Sequence, residues 1–91
     1  MKSDANAKRI YAHARSLGAT VVVHDPERRN GKSGEPDAFI GFMNKTIPVE
    51  VKMPGKWLNE EQEKFHRDWK GSPIWIVRTE VDLECALGLV P

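Results

Sequence analysis

The apolar positions of this chain change period several times, and each change marks a new element. Over residues 5–17, Ala7, Ile10, Ala14 and Leu17 recur at three- and four-residue steps, the spacing of one narrow helical face. Ser3 or Asp4 is placed to cap that helix and Gly18 to end it. Lys8, Arg9 and Arg15 fall largely on other faces and read as solvated surface. Thr20-Val21-Val22-Val23-His24 is a β-branched run of the kind that makes a buried strand, and His24, which closes it, reads as a packed or solvent-edge residue more readily than as a site ligand. Residues 25–33 combine proline, glycine, asparagine and many charges, the composition of a loop. Two more strands are predicted over 37–43 and 46–53, with Asn44-Lys45 as a two-residue hairpin connection. Pro48 lies inside the second of them and cannot donate to a ladder, so it marks the start of regular pairing or a bulge.

A loop over 54–58 leads to Asn59, which caps a helix over 60–70 that Gly71 stops. Glu60, Glu61 and Glu63 suit the positive N-terminal end of that helix. Leu58, Gln62, Phe65 and Trp69 share one side of it. Residues 73–78 form a fourth strand around the buried-looking run Ile74 to Val77. Thr79 then caps a last helix over 80–87, with Asp82 three residues on. The order is α-β-β-β-α-β-α, an α/β chain of the α+β-like kind with a mixed sheet.

The stretch from Gly34 to Lys52 carries the chemistry. It holds Gly34-Glu35-Pro36-Asp37, an apolar strand, and then Glu50-Val51-Lys52. Side chains alternate along a strand, so Glu50 and Lys52 point one way while Val49, Val51 and Met53 point the other. Asp37 opens the preceding strand, and Pro36 favours an extended entry to it. If the two strands pair, a carboxylate from each borders one space. That space suits a hard divalent cation, which takes oxygen ligands, with Lys52 beside it as a positive donor. Against this stands a plain ion pair of Glu50 with Lys52 on a sheet face. Gln62 likewise has two readings: the closing half of a capping box with Asn59, or a polar group aimed at the acidic centre.

These residues resemble the PD-(D/E)xK nuclease superfamily, and within it the VRR-NUC family in its stand-alone bacterial or phage form. Gly34, Pro36, Asp37, Glu50, Lys52 and Gln62 follow that family's Gly-x-Pro-Asp, Glu-x-Lys and helical Gln in order and with similar gaps. The resemblance runs from the first helix to the strand near Trp75, and the element order matches the superfamily core. It implies a nuclease whose metal, Mg²⁺ or Mn²⁺, is held by Asp37, Glu50 and the backbone carbonyl of Val51. Lys52 would hold the attacking water or steady the transition state, and Gln62 would orient a metal-bound water or a phosphate. The family places an acidic residue early in the first helix; here the nearest candidate is the shorter Asp4. Stand-alone domains of the family act as dimers on four-way DNA junctions, which implies structured DNA as the substrate and a homodimer as the working form.

With 91 residues the chain makes one domain, and with 40% hydrophobic and 30% charged residues an ordinary globule. The net charge is only +1, so a nucleic-acid partner has to meet a local patch. Arg28, Arg29 and Lys32 in the loop before the acidic centre, and Lys56 after it, are the candidate phosphate contacts; a merely solvated basic loop is the competing reading. Trp57 and Trp75 suit either base stacking or an interface. Trp57, Trp69, Trp75, Leu83, Leu87 and Leu89 offer more large apolar surface than one small core needs, which favours a homodimer. Cys85 is alone, no window is apolar enough to span a membrane, and no leader pattern opens the chain, so a cytoplasmic protein is expected. No glycine-rich phosphate loop or CxxC pattern occurs. The rival to a nuclease is a non-catalytic nucleic-acid-binding or protein-interaction module on the same fold.

Overall fold

The computed structural model describes residues 4–24 and 34–90. The elements are α1 (Ala7–Ser16), β1 (Thr20–Val23), β2 (Ala38–Phe42), β3 (Lys45–Val51), α2 (Glu60–Asp68), β4 (Trp75–Val77) and α3 (Glu80–Ala86). This is the expected α-β-β-β-α-β-α order. The result is a small α+β fold with one four-stranded mixed sheet, ordered β1-β2-β3-β4, and three helices. The β1–β2 and β2–β3 pairs are antiparallel, and β4 joins β3 in parallel after the α2 crossover. Among the described residues no helix is long and apolar enough to cross a membrane.

One sheet face carries the core. Ala38 and Ile40 of β2, Ile47, Val49 and Val51 of β3, and Val77 of β4 alternate onto it and pack with Ile10 and Ala14 of α1, Leu83 and Ala86 of α3, and Leu87, the C-cap of α3. Leu83 and Leu87 are thus spent inside the monomer, which corrects their assignment to an interface. Glu50 lies on the other face, where α2 reaches it.

Several elements depart from expectation. Strand β1 is an edge rather than a buried strand: Val22 is 63% exposed, and among the described residues no strand pairs beyond β1. Helix α1 begins two residues late. Its N-cap Asn6 makes no side-chain cap bond, and Asp4 is drawn off to accept the Met53 N–H at 2.6 Å. Arg9, though exposed, is not merely solvated, since it pairs with Glu80 on α3. Helix α2 stops at Asp68 because Trp69 is already extended (φ −65°, ψ 131°). Strand β4 is shorter than expected and lies at the other edge, which leaves Trp75 39% exposed.

The hairpin also turns one residue earlier than Asn44-Lys45. Phe42 pairs with Lys45, so the connection is Met43-Asn44, with φ of 50° and 64°. Both residues sit in the left-handed region, as a type I′ turn demands. Counted from that turn, hydrogen-bonded and non-hydrogen-bonded pairs alternate, and Phe39–Pro48 falls among the latter. The proline therefore turns its missing donor away from β2. Pairing to β4 starts only at Val49, so Pro48 marks the start of regular pairing and no bulge is needed.

Met43 is 75% exposed and carries a positive φ at a cost of roughly 1 kcal/mol for an L-residue with a Cβ. Replacing Met43-Asn44 by Asn-Gly should raise stability by about 1 kcal/mol in chemical denaturation. Unchanged or lower stability would refute the type I′ assignment.

Candidate functional site

Asp37 and Glu50 meet because of register. Ala38 pairs with Val49, and one step further along the same ladder Asp37 stands opposite Glu50, in a non-hydrogen-bonded position where side chains lie closest. Here the backbone ladder ends. The Val51 N–H, turned toward β2, is taken by the Asp37 side chain at 2.8 Å. The N–H and C=O of a strand residue share an edge, so the Val51 carbonyl faces the same side. From the outer side, the His24 N–H donates to the Asp37 carbonyl at 2.8 Å. The His24 ring tilts against Phe39 at 5.1 Å, the packed role expected for it.

Glu50 is 1% exposed. The Gln62 amide donates to its Oε2 at 2.9 Å. Gln62 also closes the capping box of α2: its Oε1 accepts the Asn59 N–H, and its own N–H donates to the Asn59 side chain. The two readings of Gln62 are therefore both true, and the cap is what aims the amide at Glu50. The close approach of α2 depends on Gly34. Its φ is +90°, and a Cβ there would lie 2.5 Å from the Glu61 carbonyl oxygen. Pro36, next to Asp37, is fully buried.

Glu50 Oε1 is buried with no hydrogen-bond donor. Burial raises the Glu50 pKa from 4.5 to about 9, and the Asp37 charge adds to the rise, partly offset by Lys52. Burial raises Asp37 as well, against the lowering effects of the Val51 N–H, Glu50 and Lys52. A proton bound to Glu50 would be shared with Asp37, giving the orphaned side a partner. Lys52 stands two residues beyond Glu50 on the same face and is half-buried. Its backbone continues the sheet by donating to the Val77 carbonyl at 3.0 Å.

Three residues at the site carry no motif. Asn6 is buried and its amide donates to the carbonyls of both Lys52 and Arg78, tying the start of α1 to the ends of β3 and β4. Tyr11 is buried, and its pKa is raised by that burial and by the charges of Asp37, Glu50 and Asp4. His66 lies one turn after Gln62, with Nε2 buried and unpartnered; burial and the Lys52 charge lower its pKa. A tyrosine next to Ile10 on the apolar stripe of α1 was the one sequence signal for Tyr11.

The donor set fits a hard divalent cation: two adjacent carboxylates, one with an orphaned buried oxygen, and a carbonyl on the same edge. Among the described residues no three His, Cys, Asp or Glu side chains gather as a metal group. A centre with few protein ligands suits Mg²⁺, which keeps several waters. Asp4 contributes its charge while one of its oxygens is held by Met53. Lys56 is exposed in the loop after β3. Arg28, Arg29 and Lys32 lie outside the described residues. No family model, curated protein or solved structure matches the chain.

Because the folded state raises the proton affinity of Glu50, its contribution to stability is full below pH 4.5 and is lost as pH climbs toward 9. Each tenfold in proton affinity is worth about 1.4 kcal/mol. In metal-free protein, Glu50→Gln should therefore become progressively more stable than wild type across that window. Parallel stability-against-pH curves for the two proteins would show that Glu50 is not protonated on folding.

Proposed function

We propose that the chain is a metal-dependent DNA endonuclease of the PD-(D/E)xK kind, closest in its residues to the VRR-NUC pattern. The observation that carries this reading is the buried, half-satisfied Glu50 carboxylate set against Asp37. Burying an ion without compensation costs several kcal/mol. A fold that pays this at a two-carboxylate site has a use for it, and a bound cation is the compensation that the oxygen donors suit.

Asp37, Glu50 and the Val51 carbonyl would hold Mg²⁺ or Mn²⁺. When bound, such an ion activates water at neutral pH and stabilises a leaving oxygen. The chain's own residues do the rest. Gln62 keeps the Glu50 carboxylate oriented through Oε2 and leaves the buried Oε1 without a donor. Asp37 is held by the Val51 N–H and presents its remaining oxygen to the same space. Lys52 supplies a positive charge on the Glu50 face, placed to orient the attacking water or to offset charge that develops on the phosphate. Arg28, Arg29, Lys32 and Lys56 are the proposed backbone contacts, with branched DNA as the substrate and the cytoplasm as the compartment.

A cleavage panel of duplex, flap, single-stranded and four-way junction DNA, with Mg²⁺ or Mn²⁺, tests the activity. Asp37→Ala, Glu50→Ala and Lys52→Ala should each lower the rate by at least about a hundredfold while preserving the fold. Calorimetry should show Mn²⁺ binding to wild type and its loss in Glu50→Ala. A Lys52→Ala protein that cleaves at the wild-type rate removes Lys52 from the mechanism. Bound DNA with no cleavage under any metal would select the non-catalytic module instead.

The homodimer is part of the same proposal, now resting on Trp75 and Leu89, which remain exposed. Light scattering over a concentration series should give the dimer mass at micromolar protein. A monomer that still resolves junctions removes the two-site arrangement.

A further inference from the structure

The loop that leaves β3 puts a tryptophan where neither the core nor the acidic centre has any use for it. Trp57 is 58% exposed, yet its ring is held firmly. The indole Nε1 donates to Glu63 on α2 at 2.9 Å. The Arg78 guanidinium lies 5.6 Å from the ring centroid, and its Nη2 donates to the Lys56 carbonyl at 2.7 Å. An indole anchored by its edge and backed by a cation keeps the remainder of its surface for solvent.

The placement is tied to the candidate centre. Val51 pairs with Val77, so Arg78 leaves β4 beside Lys52 as it leaves β3. Asn6 binds the carbonyls of both residues with one amide. The ring thus stands next to the end of the sheet where β3 runs out into Lys52, and exposed Lys56 adjoins it in the chain.

We infer that Trp57, backed by Arg78, is a stacking platform for an unpaired nucleobase next to the phosphate held at the acidic centre. The inference rests on the nuclease reading for the second half of that statement. The chemistry selects the ligand. A rigid aromatic face supported by a guanidinium stacks on flat π-systems, and the nearby cations suit the attached phosphate. Bases inside a duplex offer only their edges, because both faces are already stacked. A ring of this kind therefore distinguishes tailed, frayed or branched DNA from continuous duplex.

The test measures DNA binding by fluorescence anisotropy in metal-free buffer, so that cleavage does not enter. The probes are a blunt duplex, the same duplex with a short single-stranded tail, and the same tail made of abasic sites. Trp57→Ala should weaken binding of the tailed duplex about tenfold or more and leave the blunt and abasic-tailed probes nearly unchanged. Trp57→Phe, which keeps a ring, should recover most of the loss. Equal loss on all three probes, no loss on any, or no binding by wild type overturns the platform. So does a Trp57→Ala protein that binds every probe normally but falls from dimer to monomer, which makes the ring a protein contact. Cleavage with Mg²⁺ is read separately. Tailed DNA gripped through Trp57 but never cut leaves the platform standing and removes the nuclease. Cleavage that needs Glu50, with the tail preference intact in Trp57→Ala, does the reverse.

Discussion

A carboxylate sealed from water and given one donor is the constraint around which this structure is arranged. Glu50 sits on the central part of the sheet, 1% exposed, with Gln62 on one oxygen and nothing on the other. Ionising it there is penalised by burial and by the neighbouring Asp37 charge. Replacing it by a hydrophobic residue would relieve that strain, so packing does not explain its presence. The surrounding elements nonetheless converge on it. The hairpin register brings Asp37 across, the capped start of α2 delivers Gln62, and Gly34 admits the α2 backbone at a distance no side chain would allow.

Several groups serve the sheet and the site at once. Gln62 closes a helix cap with its oxygen and backbone while its amide nitrogen reaches Glu50. Asp37 replaces a missing ladder bond to Val51 and stays beside Glu50. Asn6 fixes the ends of two parallel strands by donating to Lys52 and Arg78. Loosening any one of them would shift both stability and site geometry. Variants at Gln62 and Asn6 therefore say less about chemistry than variants at Lys52 or Trp57, whose side chains project from a backbone that others hold, and Asp37→Ala needs its stability measured beside its activity.

The sequence carried element order well, because it depends on local period and on caps such as Asn59 and Thr79. It also carried the shared face of Glu50 and Lys52, since alternation along a strand is obligatory. What it could not carry was the neighbourhood of each element. The run Thr20 to Val23 announces a strand but not an edge, and exposure of Val22 follows from what fails to lie beside it. The one-residue error at the hairpin came from expecting Asn44 to be the first turn residue; the structure instead puts an L-residue with a long side chain, Met43, at positive φ. Asp4 looked like a helix cap and serves Met53, a residue far away in sequence. Asn6, Tyr11 and His66 reach the site through tertiary packing alone, and no spacing rule announces that.

The weak net charge also takes on meaning at this site. A phosphodiester approaching two ionised carboxylates is repelled, and the acids at the start of α2 add to that field. Burial and the Asp37 charge favour a proton on Glu50 when no cation is bound, which would leave the centre with less negative charge and Lys52 as the cation beside it. A cation held by the same oxygens would relieve the same strain at neutral pH without the proton. On the proposed nuclease reading, affinity for the polyanion would be linked to what neutralises Glu50, and a chain carrying only +1 overall would engage DNA locally at that centre. Burial of the carboxylate would make such a coupling strong, because an exposed pair would be screened by water and by salt whichever ion was present.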